Sequence, residues 1–165
     1  MILDLKDIFA CVGETLVYEE TIDLHMLDIG GFFPFQKPVT ASAILSNKSG
    51  IVTVSGAAVL DYVTQCDRCA ADINTKMNLP VHHILVSEIN DEENYDEDFI
   101  LIENMLLDIT ELVTSDILLQ LPSKFLCSEH CKGLCASCGV NLNETDCKCD
   151  KAVDPRLEAL KKLLN

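Results

Sequence analysis

Eight of the nine cysteines fall in four close pairs, and closely paired thiols are suited to metal chemistry. Six of them crowd into residues 127–149, as Cys127-Ser-Glu-His130-Cys131-Lys-Gly-Leu-Cys135-Ala-Ser-Cys138-Gly139 followed by Val-Asn-Leu-Asn143-Glu-Thr-Asp-Cys147-Lys-Cys149. The fourth pair lies far upstream as Cys66-Asp-Arg-Cys69. Four thiolates close a tetrahedral shell around zinc, and in a reducing compartment this explains paired thiols better than disulfides do. Cys135-x-x-Cys138-Gly139 has the form of a zinc knuckle: the spacing lets both sulfurs face one ion, and glycine tolerates the left-handed backbone that follows. Cys147-x-Cys149 can return a second pair, so Cys135, Cys138, Cys147 and Cys149 make a self-contained local site. Cys66, Cys69, Cys127 and Cys131 are then expected to share a second ion, across 57 intervening residues. That ion would tie a hairpin tip to the segment leaving a helix.

Other chemistries compete for these residues. His130 is the only histidine inside the cluster and could replace one thiol. Zinc-holding thiols can also oxidise and release their metal, which would make a redox switch. An iron–sulfur cluster stays open on spacing alone, although the Asn-Leu-Asn stretch and the C-x-C step do not match ferredoxin runs. Catalytic zinc would need fewer protein ligands and a neighbouring base. Cys11 has no partner and reads as a small buried apolar residue.

The elements that must position these thiols are mostly strands. The runs 39–45 and 51–63 have β propensity and are separated by Ser46-Asn47-Lys48-Ser49-Gly50, which has hairpin turn chemistry. Gly56 reads as a bulge. Ile73, Thr75, Met77, Leu79 and Val81 alternate with polar residues and proline, so Cys66-x-x-Cys69 sits at the tip between two strands. Residues 15–25 read as a further half-buried strand, and the first nine residues fit either a strand or a short helix. His82 and His83 read as polar residues ending a sheet, not as ligands. Asp108 and Glu111 resemble a capping box ahead of Ile109, Leu112, Val113, Ile117 and Leu121, a helix that Pro122 ends. Asp154-Pro155-Arg156 opens a last short helix with a Leu157, Leu160, Leu164 stripe. The expected fold is α+β: a mostly antiparallel β-sheet body with one long packing helix, and a small zinc-bound Cys-rich C-terminal module ending in a short helix. The expected division is an acidic β-rich domain over 1–121 and the zinc module over 122–165.

Charge narrows the partners. The chain of 165 residues carries a formal −15 at pH 7. Residues 1–121 hold 21 acids against 5 Lys or Arg, while 122–165 hold 6 against 7, so the acidity belongs to the first part. Seven acids fall within 88–98, a solvated loop or a docking site for a basic protein. Such a surface repels phosphate backbones and attracts basic proteins. Aromatic residues are few, at 5%, and tryptophan is absent, so platforms for stacking nucleobases are scarce. The acidic N-terminus is unlike a signal peptide and no apolar run approaches the ~20 residues that span a bilayer, so a soluble cytoplasmic protein is expected. No nucleophile and base, phosphate loop or spaced carboxylate pair suggests an enzyme.

Taken together, Cys66-x-x-Cys69 with its following strand, the helix ending in Leu121-Pro122, the run from Cys131 through Asn143, Cys147-x-Cys149 and Asp154-Pro155-Arg156 resemble the YceD family of bacterial proteins. Ala136 stands where the family pattern leads one to expect proline. These proteins are described as large ribosomal RNA subunit accumulation proteins. The resemblance implies a non-enzymatic role in the synthesis, processing or stability of large-subunit (23S) ribosomal RNA. The family's gene commonly lies beside that of a small basic large-subunit ribosomal protein. With the acidic surface, this leads to the expectation of a basic ribosomal protein or the pre-ribosomal large-subunit particle as partner. The alternatives are a zinc-thiol redox-regulated holdase chaperone and a zinc module that contacts RNA through a basic C-terminal face.

Overall fold

Two long strands flank the Cys66–Cys69 pair. The computed structural model describes residues 1–87 and 99–149. The acidic run 88–98 and the helix expected from Asp154 lie outside the described residues. Within them the order is β1 (Ile2–Asp4), α1 (Lys6–Ala10), β2 (Thr15–Ile22), β3 (Val39–Lys48), β4 (Ile51–Gln65), β5 (Asp72–Val86), β6 (Phe99–Leu101), β7 (Leu106–Asp108) and α2 (Ile109–Gln120). The opening residues that fit strand or helix form one of each.

Five strands make one sheet in the order β2-β3-β4-β5-β6, and β1 pairs with β7 in a second. The β2–β3 and β3–β4 pairs are antiparallel. Side-chain bonds from Ser55 to His82 and from Gln65 to Asp72 show β4 and β5 running in opposite directions. β6 lies parallel to β5, with Ile84 opposite Phe99. The fold is therefore α+β with an antiparallel-rich sheet and few helices. α2 has 12 residues, an ordinary length rather than a long one.

Period-two patterning chooses the inward face. In β3, Val39, Ala41, Ala43, Leu45 and Asn47 are buried and their neighbours are not, because successive side chains point to opposite faces. β4 contributes Val52, Val54, Ala58, Leu60 and Tyr62, and α2 contributes Ile109, Val113 and Ile117. The Phe35 and Tyr62 rings meet edge to face with centroids 5.6 Å apart. Asp108 caps α2 as expected: its Oδ1 accepts from the N–H of Thr110 at 3.1 Å and of Glu111 at 3.2 Å.

Four local expectations are corrected. The turn between β3 and β4 is not a five-residue loop; the ladder runs on to Lys48 opposite Ile51. Only Ser49 (φ 57°) and Gly50 (φ 88°) turn the chain, both left-handed, which matches the twist of paired strands. Gly56 is not a bulge, since pairing passes through it unbroken with Ala43 opposite. A Cβ there would lie 2.0 Å from the Ser42 carbonyl oxygen, so close backbone approach is what requires glycine. His82 and His83 do not end a strand, because β5 continues to Val86. His82 bonds Ser55, whereas His83 turns inward and places Nε2 at 2.9 and 2.8 Å from the two Asp116 oxygens. Cys11 is exposed, not buried: it follows the last residue of α1, with its N–H bonded to the Asp7 carbonyl.

Contacts group the chain into two compact units. One comprises the described residues of Met1–Thr64 and Asn74–Ser123, and contains the core above. The other comprises Gln65–Ile73 and the described residues from Lys124 onward.

Candidate metal centres

All eight paired cysteines lie in the second unit. Its first segment is the connection from β4 to β5, where the Ala70 N–H bonds the Cys66 carbonyl at 2.9 Å. The same closure recurs downstream, from the Gly139 N–H to the Cys135 carbonyl at 2.8 Å. Each C-x-x-C is thus a tight turn whose fifth residue is left-handed, with φ 57° at Ala70 and 73° at Gly139.

The residues between the first two cysteines anchor the C-terminal segment. Asp67 N–H donates to the Phe125 carbonyl at 2.9 Å, and Asp67 Oδ2 accepts from Phe125 N–H at 2.6 Å. Arg68 Nη1 donates to the Cys131 carbonyl at 2.9 Å, and the Arg68 carbonyl accepts from Leu134 N–H at 3.1 Å. A Cβ at Gly133 would stand 3.0 Å from that Arg68 oxygen, so a side chain there would crowd the joint. Cys66, Cys69 and Cys131 are buried, and Ala71, Ile73 and Leu126 pack against them. Downstream, Leu134 bridges to Asn141 and Cys135 N–H bonds the Val140 carbonyl, folding residues 134–141 back on themselves.

These turns collect the thiols into two fours, Cys66, Cys69, Cys127, Cys131 and Cys135, Cys138, Cys147, Cys149, with the sulfurs of each within 4.8 Å of one another. All nine cysteines are free. The sulfur separations are 3.8 Å for Cys66–Cys131, 3.5 Å for Cys69–Cys127, 3.5 Å for Cys138–Cys147 and 3.3 Å for Cys135–Cys147. Metal–sulfur bonds of about 2.3 Å in a tetrahedron put sulfurs about 3.8 Å apart. The donor sets fit, and both clusters could hold metal ions. His130 is exposed and belongs to neither four.

The local field also favours a cation. The Cys127 N–H, 3.3 Å from Cys66 Sγ, is the main reason the Cys66 thiol is drawn down to about 6. The Cys127 thiol is pushed up to about 12 by its bond to Cys69 and then by Cys131. In the second four, the N–H groups of Cys138 and Ser137 draw Cys135 down to about 6. Cys147 and then Cys138 push Cys149 up to about 12. A few donated N–H bonds thus favour the thiolates of Cys66 and Cys131 in the first four and of Cys135 in the second, and the neighbouring thiols keep others protonated. A bound dication overrides that effect.

The sequence reading assigned Asn143 no role, and this side chain is part of the site. Its Nδ2 lies 3.3 Å from Cys131 Sγ and 2.8 Å from Asn141 Oδ1, while its Oδ1 accepts from Lys132 N–H at 2.8 Å. The signal was the pair of asparagines within the second thiol loop, which Asx-turn chemistry could have flagged. Asp67 and Arg68 were equally invisible in role, because their partners lie more than fifty residues away.

An α+β protein with an antiparallel-rich sheet and two tetrathiol centres is the class these observations define. The family model described as large ribosomal RNA subunit accumulation protein YceD matches residues 54–164, and the chain belongs to that family. Bacillus subtilis (strain 168) has a relative, the uncharacterized protein YlbN, 29% identical over 160 residues, covering 92% of this chain and 89% of that one. The uncharacterized proteins Mb2951c of Mycobacterium bovis and Rv2926c of Mycobacterium tuberculosis are each 24% identical over 115 residues. Those alignments cover 68% of this chain and 56% of each mycobacterial protein, so the match spans little more than half their length. No solved structure matches the chain. Among the described residues, no helix is long and apolar enough to cross a membrane.

Proposed function

We propose that this protein is a non-enzymatic, cytoplasmic ribosome-biogenesis factor that supports synthesis, processing or stability of 23S ribosomal RNA by binding a basic ribosomal protein or the pre-ribosomal large subunit. Family membership supports the ribosomal role in general. The observation that carries the finer reading is the charge distribution: 21 acids against 5 Lys or Arg over residues 1–121. Such a surface speeds encounter with a basic protein and opposes a phosphate backbone. Zinc is the metal this reading assigns to both centres, because four thiolates with no open position make a closed structural shell.

The test is depletion of the protein in its host, with the mature 23S to 16S ratio as readout, alongside titration of the purified zinc-loaded protein. A lowered ratio is expected, together with salt-sensitive binding to a small basic large-subunit protein and none to ribosomal RNA fragments. An unchanged ratio overturns the biogenesis role. Binding to RNA alone at low salt overturns the choice of partner and favours direct contact through the C-terminal module.

A second reading, the redox-regulated holdase, has one observation in its favour: Cys138 and Cys149 are exposed, where an oxidant can reach them. Mild peroxide distinguishes the two. Zinc release with new anti-aggregation activity would support the holdase, and retention of zinc would count against it.

A further inference from the structure

Asn143 belongs by sequence to the second thiol loop, between Cys138 and Cys147, yet its side chain reaches a sulfur of the first four. The orientation of its amide is fixed by its partners. Lys132 N–H can only donate, so the atom 2.8 Å from it is the Asn143 oxygen. The Nδ2 hydrogens are then left to donate to Cys131 Sγ at 3.3 Å and Asn141 Oδ1 at 2.8 Å. Asn141 is oriented in turn, because its own Nδ2 donates to the Glu144 carboxylate at 2.9 Å. Asn143 N–H also bonds Asn141 Oδ1, at 3.0 Å, and Leu142 N–H bonds the Gly133 carbonyl at 2.9 Å. Asn143 therefore donates to both sides, through Asn141 to Glu144 within the loop that the second four of thiols gathers and to Cys131 Sγ, a ligand atom of the first.

We propose that Asn143 is a positioning residue that couples the two thiol centres: by donating to Cys131 Sγ it strengthens metal binding at the first centre only while the second centre holds its loop in place. This rests on the reading that both fours bind metal. An N–H donor to a coordinated thiolate fixes its rotamer and offsets part of its charge, and losing such an outer contact typically costs about 10–100-fold in metal affinity. Because the donor is carried by the loop of the other site, that contribution depends on occupancy there. The two sites bind with positive cooperativity, and by linkage the effect is reciprocal.

The test is cobalt(II) titration of the reduced full chain, followed by thiolate-to-cobalt charge-transfer and ligand-field absorption. Cys66→Ser/Cys69→Ser isolates the second centre and Cys135→Ser/Cys138→Ser isolates the first. Asn143→Ala in the otherwise intact chain is expected to weaken the first centre by about 10–100-fold and leave the isolated second centre unchanged. In the Cys135→Ser/Cys138→Ser background the first centre should already be weakened, and Asn143→Ala should add little, the non-additivity expected of coupled sites. Asn143→Asp keeps the Lys132 acceptor and the loop but turns an oxygen toward sulfur, so it should weaken the first centre at least as much. Wild-type affinity at the first centre in both Asn143 variants overturns the proposal, as does a second centre that Asn143→Ala weakens even when isolated in the Cys66→Ser/Cys69→Ser background, where no coupling remains to lose. A wild-type chain that takes up no cobalt overturns the metal reading itself and is distinguishable from either.

Discussion

Ala70 and Gly139 occupy equivalent places, the residue after a C-x-x-C turn, in the left-handed region at φ 57° and 73°. Glycine enters that region freely, whereas an L-residue with a Cβ is strained there by roughly 1–2 kcal/mol. Ala70→Gly relieves this strain but gives the unfolded chain more freedom, an opposing effect of about 0.4–1 kcal/mol. A net gain of up to about 1 kcal/mol is therefore expected for Ala70→Gly in the metal-loaded protein, read from the denaturant midpoint. Gly139→Ala, with open space around its missing Cβ, meets the same two effects in reverse and should lose up to about 1 kcal/mol net. Opposite signs at the two positions test whether both turns are true knuckles; equal signs would sink the equivalence. At this scale the sequence is informative where spacing is local. The C-x-x-C pairs, the knuckle glycine and the Asp108 cap all act within five residues. Asn143 on Cys131 and Arg68 on the Cys131 carbonyl are side chains meeting across a fold, and no local pattern encodes them.

Elements were legible in kind and less so in their ends and irregularities. The alternation from Ile73 to Val81 identifies β5, but pairing extends it to Val86 through two histidines, because His83 finds Asp116 on α2 and can be taken inward. Propensity stops β3 at Leu45; the ladder continues because Asn47, although buried, donates to the Ile8 carbonyl and accepts from Gly50 N–H. Gly56 shows the same limit, since a glycine inside a strand signals either a bulge or a close approach and only tertiary structure decides. The close approach makes a prediction. Gly56→Ala puts a methyl 2.0 Å from the Ser42 oxygen and 2.6 Å from Ala43 Cα, both backbone atoms that cannot swing aside. The β3–β4 ladder must separate locally, at a cost of about 1–3 kcal/mol or more, the range found for overpacked sites. Urea unfolding of the variant should show this loss, with Ala57→Gly as a neighbouring control of small effect; a Gly56→Ala protein as stable as wild type would mean that the strands are not held this close.

For the whole molecule, the question is whether the second unit is assembled before metal arrives. The first centre joins segments 57 residues apart, and closing a loop of that length has an entropic cost that grows only slowly with length. Buried packing of Cys66, Cys69 and Cys131 with Ala71, Ile73 and Leu126, and the Asp67 and Arg68 bonds to the C-terminal segment, offset part of that cost without any ion. Proton release separates the alternatives, because metal binds thiolates and displaces whatever protons the thiols still carry. In an unfolded apo module all eight thiols titrate near 8.5, so loading two zinc ions at pH 7 releases close to eight protons, about as many as at pH 5. In a preformed module Cys66 and Cys135, each drawn down to about 6, are already ionised at pH 7. Cys131, which burial resists but the Asn143 and Gly133 N–H groups draw down, shifts the same way. Cys127 and Cys149, pushed up to about 12, still carry their protons. The sign follows: pKa values lowered in the apo protein reduce release at neutral pH and leave it unchanged below pH 5. Saturating zinc should thus release about six protons at pH 7 and about eight at pH 5, measured with an indicator in weak buffer. Release near eight at both pH values would mean that the thiols are not gathered until the metal gathers them. Either way the loaded chain reaches about −19, four charges below the formal −15 of the chain with every thiol protonated and about two below a preformed chain with Cys66 and Cys135 ionised, so filling the thiol centres would strengthen the field toward the basic partner proposed above.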